Sequence, residues 1–526
     1  MIRLIIDNRE VNVPEGTTVL KAAESIGIHI PNMCYMDGFS NSPSCMLCLV
    51  KNINDEVLLP SCAMRVTENM EIITNDEEIS EARKEALELL LSDHVGDCEA
   101  PCRRSCPAFM NIPLMNRLIA SGHISESIKV VKEEIALPLI LGYICSAPCE
   151  KACRRKQIDS PVSICLLKKY VAASGINNTD IYLPPKQSNT KKKIAVIGTG
   201  PAGLASAFYL LKWGHNCVLF DKNEIAGGSL LNVQDDELPK SILENEIKMI
   251  EKYGGEFNLN KTITKDILEK IKRDFDAVII ATGEIEKADA KYTELQLIES
   301  DFNNESGTYE TGTTGVFACG SVIRNISMAV RAVAQGKASA LSVNNFLLGK
   351  KPEKATKLFN SKFNKLADTE IDEYLKESVS DNVIIPKEGK LNGFTSDEAV
   401  DEAKRCLHCD CRKPDTCKLR LYANEYKASA KKYMFADRKL IKKSFQHEYV
   451  VYESEKCIKC GLCVEITSAN GELTGLSFVG RGFDVQVDIP MKRSLKEALI
   501  STAEKCVEAC PTGALAFKND NRKLNN

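Results

Sequence analysis

Residues 194–222, IAVIGTGPAGLASAFYLLKWGHNCVLFDK, decide the fold of the middle of this chain. A short apolar strand runs into Gly198-x-Gly200-x-x-Gly203, with Pro201 and Ala202 inside the motif. A helical stretch follows, then a second apolar strand ending at Asp221. Glycines at these positions permit the tight turn and let a pyrophosphate approach the helix N-terminus. Asp221 comes 23 residues after Gly198, where an acid that binds a ribose belongs. The order strand, glycine turn, helix, strand, acid predicts a Rossmann-like nucleotide-binding domain over residues 190–350.

The cysteines lie almost entirely outside that module. Of 22, four fall at 34–62, seven at 98–165, four at 406–417 and five at 457–510, leaving only Cys217 and Cys319 in between. A chain of 526 residues has no need of disulfides to make up for a missing core. Its start, MIRLIIDNREVNVPEG, lacks the apolar core of a signal peptide. Clustered cysteines in such a chain read as metal ligands or redox groups, and the expected compartment is the cytoplasm. Lys+Arg total 69 and Asp+Glu 72, a net charge of −3 that carries no nucleic-acid footprint. The longest apolar run, 135–145, contains Pro138 and is too short to span a bilayer. No repeat of solenoid period is present.

At the N-terminus, residues 2–6 and 11–13 read as a hairpin around Asp7-Asn8, and Thr17 or Thr18 caps a helix running to about Ile26. Cys34, Cys45, Cys48 and Cys62 follow with C-x10-C-x2-C-x13-C spacing. Four thiolates suffice for one iron–sulfur cluster and equally for zinc. The stretches GTTVLKAAESIGIHIPNMCY, CMLCLV and SCA resemble the β-grasp [2Fe–2S] domain of the large iron–sulfur subunit of NADH dehydrogenase (complex I) and of iron hydrogenases. That resemblance covers residues 1–80 and all four ligands. Met46 stands where the family often has Arg.

The next block holds His94, Cys98, Cys102 and Cys106, then a helical stretch over 112–135, then Cys145, Cys149 and Cys153. The segment CEAPCRRSCPAFMNIP and the later LPLILGYICSAPCEKACRRKQIDSPVSI resemble the N-terminal domain of the glutamate synthase small subunit, which dihydropyrimidine dehydrogenase shares. The resemblance implies an α-helical domain over 81–176 with two [4Fe–4S] clusters. It implies one cluster on Cys98, Cys102 and Cys153, and the other on Cys106, Cys145 and Cys149. The sequence departs from the family twice. The opening C-x2-C pair is reduced to Cys98, with His94 upstream as the candidate replacement, because complex I has a His before three Cys. At Lys168 the family has a Glu or Gln ligand, and a charged lysine has no lone pair to give. Cys165, three residues earlier, lies on the same face if the segment is helical and is the candidate ligand; the alternative is a small buried hydrophobe.

In the middle module, VIIATG (278–283, with Ala281, Thr282 and Gly283), GVFACGS (315–321, with Gly320 and Ser321) and the stretch at 226–229 (with Gly228 and Ser229) resemble the FAD-domain signatures of glutathione-reductase-like flavoproteins. Ser321 replaces the family's Asp. Only residues 284–314 separate the two signatures, where the glutamate synthase small subunit has an NADPH domain, and no second glycine motif follows. The expected cofactor is FAD with no nicotinamide site; the alternative is an empty Rossmann scaffold.

Residues 351–400 read as a linker with helical parts. Cys406, Cys409, Cys411 and Cys417 fall in a Cys-rich segment, 401–440, with C-x2-C-x-C-x5-C spacing. The string suits one [4Fe–4S] cluster or zinc; alternatively Cys406 and Cys409 replace the pair missing from the second block. Over 441–526, Cys457, Cys460 and Cys463 with the distant Cys510-Pro511 make a ferredoxin-type [4Fe–4S] set. The insertion between Cys463 and Cys510 again resembles the complex I subunit.

The expected architecture is therefore multidomain α+β and α/β: a β-grasp [2Fe–2S] domain, an α-helical double-[4Fe–4S] domain, a Rossmann-like FAD domain and a C-terminal ferredoxin-like region. The resemblances imply an electron-transfer subunit with FAD, one [2Fe–2S] and about four [4Fe–4S] clusters. Its expected partners are an NADH- and FMN-binding subunit with a small [2Fe–2S] companion, and a ferredoxin or further catalytic subunit. Flavin-based electron bifurcation fits the inventory. The alternatives are a stand-alone ferredoxin-dependent FAD reductase and a non-catalytic iron–sulfur scaffold. No Ser-His-Asp or paired-carboxylate constellation marks substrate chemistry.

Overall fold

A computed structural model describes residues 1–40, 42–177, 182–284, 307–351, 358–379, 382–434 and 438–518. The chain divides into two compact units: residues 1–100, 358–377 and 408–526 form the first, and 101–357 with 378–407 the second. Both are discontinuous, because the second is inserted into the first. Among the described residues no helix is long and apolar enough to cross a membrane.

The first unit opens with the hairpin Ile2–Ile6 and Arg9–Val13. Asp7 and Asn8 both adopt positive φ (46° and 63°), as a two-residue turn between twisted strands requires. Alternate residues Leu4, Ile6, Val11 and Val13 face inward, and Leu4 and Ile6 are fully buried. Burying a side chain of that size stabilises by roughly 1.5–3 kcal/mol. Strand Ile2–Ile6 pairs in parallel with Met70–Ile73, and strands Leu49–Asn52 and Val57–Pro60 complete a five-stranded sheet. Helix Val19–Ser25 lies over it, and the Thr18 side chain caps it by accepting from Lys21 N. The C-terminal part of the unit carries a three-stranded antiparallel sheet (Lys443–Ser444, Val450–Glu453, Leu515–Phe517) over helices Leu462–Ala469 and Ala503–Ala509.

The second unit begins with short helices. The stretch expected as one helix over 112–135 is two, Ile112–Ala120 and Ile124–Glu134. Gly122 takes φ +77° between them, and the Gly122 and His123 amides close the first helix onto Ile119 and Leu118. A parallel sheet follows, in the order Val316–Ala318, Ala277–Ile280, Lys193–Ile197, Asn216–Phe220, Glu256–Asn258. Helix Pro201–Lys212 is buried along nearly its whole length, between this sheet and helix Ala329–Leu347. Close approach is enforced at Gly336, where a Cβ would come 2.2 Å from the Ala202 carbonyl oxygen. Residues 351–400, expected as a linker with helical parts, contribute helices Asp368–Leu375 to the first unit and Gly389–Asn392 and Ser396–Lys404 to the second.

Candidate functional site

The nucleotide module builds a cavity of about 620 Å³ at the carboxyl ends of its parallel strands. Gly198, Gly200, Pro201, Ala202, Asp221, Gly228, Ser229, Ala281, Thr282, Gly283, Gly320 and Ser321 all line it. Gly203 stands behind the wall: a Cβ there would lie 2.0 Å from the Gly198 carbonyl oxygen, so only glycine lets the helix seat on the turn. Gly200 has open space where its Cβ would be, which is the room a pyrophosphate needs at the start of helix Pro201–Lys212. Asp221 lines the cavity and also secures the turn that forms its floor. Its Oδ2 accepts from Thr199 N (2.8 Å) and Thr199 Oγ1 (2.6 Å), fixing the glycine turn, and its Oδ1 accepts from Asn223 N. Thr199 is invisible to the motif, which leaves its position unspecified. The cavity's size, glycine-lined floor and helix N-terminus fit a dinucleotide such as FAD. The span between the two flavin signatures lies largely outside the described residues, at 285–306.

In the first unit, Cys34, Cys45, Cys48 and Cys62 converge and are buried. The Cys34 and Cys45 sulfurs stand 3.4 Å apart, and Cys62 contacts both Cys34 and Cys48. The Cys62 contact draws the Cys48 thiol down to about 7, toward the thiolate a metal needs. Cys457, Cys460, Cys463 and Cys510 line one small recess with Gly461 and Pro511. Lys459 and Gly461 take positive φ (56° and 80°), curling the backbone around it, and Lys459 N donates to Cys457 Sγ at 3.3 Å. These donor sets fit one cluster each.

A third set in this unit is not contiguous in sequence. Cys411 N donates to the Cys98 carbonyl (3.2 Å), and Cys98 and Cys411 both lie beside Cys417. Burial pushes Cys98 up to about 11 and Cys417 up to about 12. His94 joins them through Lys456, a neighbour of both His94 and Cys411. Burial, with the Lys456 cation adding to it, pulls His94 down to about 4, so the imidazole is neutral. His94 bonds the Lys456 backbone, and its Nδ1 is sealed from solvent with no partner. A neutral ring with a spare nitrogen has the donor chemistry of a metal ligand. Gly513, three residues past Cys510, meets Cys411: a Cβ there would lie 2.2 Å from its sulfur.

The second unit holds Cys106, Cys145, Cys149 and Cys165 together. The Cys165 thiol contacts both Cys145 and Cys149, and Cys106 neighbours Cys145. Ile144, beside Cys145, lines the nucleotide cavity. Elsewhere in the unit Arg155 and Arg405, both fully buried, tie the Cys153 and Cys406 segments together. Arg155 Nη1 donates to the Arg405 carbonyl (3.0 Å), and both guanidiniums bind Asp159.

These placements redraw two groupings. Cys98, expected with Cys102 and Cys153, sits with Cys411 and Cys417; Cys406, expected either with Cys409, Cys411 and Cys417 or, with Cys409, in place of the pair missing from the second block, is anchored near Cys153 by Arg405. Spacing could not anticipate the placement of Cys98, because its partners are brought to it by folding across more than 300 residues. Cys217, Cys319 and Cys506 are buried packing residues. Among the described residues, no three His, Cys, Asp or Glu side chains converge tightly enough for a single metal ion.

Comparison with known proteins matches residues 1–77 to a 2Fe-2S iron-sulfur cluster binding domain, 67–179 to dihydropyrimidine dehydrogenase domain II (4Fe-4S cluster) and 196–254 to an NAD(P)-binding Rossmann-like domain. The NADP(+)-dependent formate dehydrogenase subunit beta of Moorella thermoacetica is 35% identical over 207 residues, 35% of this chain and 29% of that protein. The NADPH-Fe(3+) oxidoreductase subunit beta of Geobacter sulfurreducens is 36% identical over 190 residues, 35% of this chain and 28% of that protein. The glutamate synthase [NADPH] small chain of Bacillus subtilis is 36% identical over 180 residues, 34% of this chain and 36% of that protein. A NAD+-reducing [NiFe]-hydrogenase structure aligns over 99% of this chain and 88% of its own at TM-score 0.36 and 11% identity, too distant to carry an argument. The aligned segments thus span about a third of the length of these sequence relatives, and the chain joins a 2Fe–2S domain, a dihydropyrimidine-dehydrogenase-type 4Fe–4S domain and a Rossmann-like nucleotide-binding segment in one polypeptide.

Proposed function

We propose that this chain is an electron-transfer subunit of a cytoplasmic NAD(H)-linked oxidoreductase complex. It passes electrons between an NADH- and FMN-binding partner with its small [2Fe–2S] companion, its own clusters and FAD, and a ferredoxin or catalytic subunit. The observation that carries this reading is one buried apolar cluster in the first unit. Cys34 and Cys45 share it with Cys417, and Cys460 packs against it, so three thiol sets meet through a single patch of core. Thiol sets joined through one apolar patch are what a relay needs.

Bound iron–sulfur clusters supply one-electron steps and bound FAD supplies the two-to-one-electron conversion. The chain's residues hold and insulate them. Cys34, Cys45, Cys48 and Cys62 hold the [2Fe–2S] cluster; His94, Cys98, Cys411 and Cys417 hold one [4Fe–4S] cluster; Cys457, Cys460, Cys463 and Cys510 hold another. Gly198, Gly200, Asp221 and the start of helix Pro201–Lys212 hold the dinucleotide. A flavin that takes electron pairs and gives single electrons in two directions extends this reading to bifurcation. The names of the Moorella and Geobacter relatives, each a subunit beta, support a place in a larger assembly.

Chemical analysis of the anaerobically purified chain tests the reading. About 18 iron atoms and one FAD per chain are expected, one two-iron and four four-iron clusters. The isolated chain is expected to oxidise no NAD(P)H and to gain that activity with its partner subunit. NADH oxidation by the chain alone would overturn the missing nicotinamide site, and absence of flavin would favour the scaffold reading.

A further inference from the structure

One ammonium faces the four thiols of the second unit. Cys165 stands in the first turn of helix Ile164–Asn177, and Lys168 follows one turn later on the same face. Lys168 is 3% exposed, and its Nζ lies 4.0 Å from Cys165 Sγ, its one hydrogen-bond partner among the described residues. Cys145, Cys149 and Cys106 are its other neighbours on the thiol side. Two carboxyls also face it, the half-buried Glu150 and the buried Glu246. Both are committed to backbone amides. Glu150 accepts from Cys165 N (2.8 Å), and Glu246 accepts from Leu139 N (3.0 Å) and Ile140 N (2.9 Å), at the start of the helix that delivers Cys145.

We propose that Cys165 supplies the fourth thiolate of a four-iron cluster on Cys106, Cys145 and Cys149, and that Lys168 is the positioning cation that raises this cluster's reduction potential. The proposal rests on reading the second unit as a cluster carrier. Its logic is charge balance. A cluster held by four thiolates carries more negative charge than one with a neutral fourth ligand, which makes it harder to reduce, and a buried ammonium beside it offsets that charge. In a protein interior such a pair interacts far more strongly than in water. The step affected is the uptake of one electron by the cluster, with no bond made or broken and no proton moved. Its donor class is a reduced flavin. The cavity for it is lined by Ile144, and Ser146 Oγ bonds Met328 Sδ (3.1 Å) just before helix Ala329–Leu347, whose first residue also lines the cavity. Lys168 thereby favours flow from the flavin into this cluster.

Anaerobic full-length C165S, K168Q and K168M test the proposal by iron and flavin content and by potentiometric titration followed by EPR. C165S is expected to lose about four irons while keeping flavin and the remaining cluster signals. K168Q and K168M are expected to keep full iron, with one four-iron signal shifted to more negative potential and the others unmoved. Full iron and an unchanged spectrum in C165S would overturn Cys165 as ligand. An unmoved potential in both Lys168 variants, or loss of the cluster from both with flavin retained, would overturn the role of the charge. A wild-type chain with no four-iron signal would instead remove the underlying reading, a result none of the variants can mimic.

Discussion

Two thiol sets in the first unit reach the same kind of site by opposite routes. Cys34, Cys45, Cys48 and Cys62 lie within one loop-and-strand segment of a single sheet, and their sulfurs meet because the local chain brings them there. Cys98, Cys411 and Cys417 come from segments more than 300 residues apart, meeting only because a whole unit is inserted between them. The first site depends on local turns. The second depends on buried charges elsewhere, above all Lys456, which touches both His94 and Cys411. Glu453 holds Lys456 at 2.5 Å and Lys443 at 3.4 Å, with all three side chains nearly inaccessible. An assembled site is thus only as secure as the ion pairs that close it.

The sharpest way to break this comparison is to remove one ligand from each set. C45S is expected to abolish the [2Fe–2S] EPR signal with loss of about two irons, and C417S to remove about four irons while leaving that signal intact. Loss of the [2Fe–2S] signal in C417S would show that the two sites do not stand independently.

E453Q addresses the charges under the assembled site. It removes the carboxylate that pairs with both buried lysines, Lys443 and Lys456, so a loss of about 3–5 kcal/mol in chemical denaturation is expected. Burial opposes the Glu453 charge, but Lys456 and Lys443 hold its carboxyl down to about 2. A carboxyl depressed in the folded state contributes stability above its ordinary value, near 4.5, and loses that contribution as pH falls toward 2. The difference between wild type and E453Q should therefore shrink as pH falls through that window. A difference that is flat with pH would dissociate Glu453 from the effect.

The smallest expected effect lies in the second unit. The Cβ position of Gly200 is open, so G200V should fold with all its thiol sites intact, yet fill the space at the turn. A loss of roughly 1–3 kcal/mol in flavin binding is expected, read as flavin released on dialysis. Retained flavin together with lost iron would reverse the assignment of the two sites.

Much of the candidate site was legible because thiol chemistry and glycine turns are local signals. The GxGxxG turn, its acid and the two later flavin signatures come from separate strands, yet all but Gly203 line one cavity, since parallel strands of one sheet end at the same edge. The Cys34–Cys62 set and the Cys457–Cys510 set were readable from spacing. Thr199 was not, because its role depends on where Asp221 points. Nor was the break at Gly122, where one glycine in an otherwise helical pattern turned a single helix into two.

The sequence by itself determined which residues can be ligands and which turns must be glycine, because side-chain chemistry and backbone sterics are properties of each residue. Only the tertiary structure decided which ligands stand together. It took Cys98 away from Cys102 toward Cys411, put Cys406 beside the Cys153 segment, and set Lys168 under Cys165, because burial and charge pairing act through space on residues that the chain order separates.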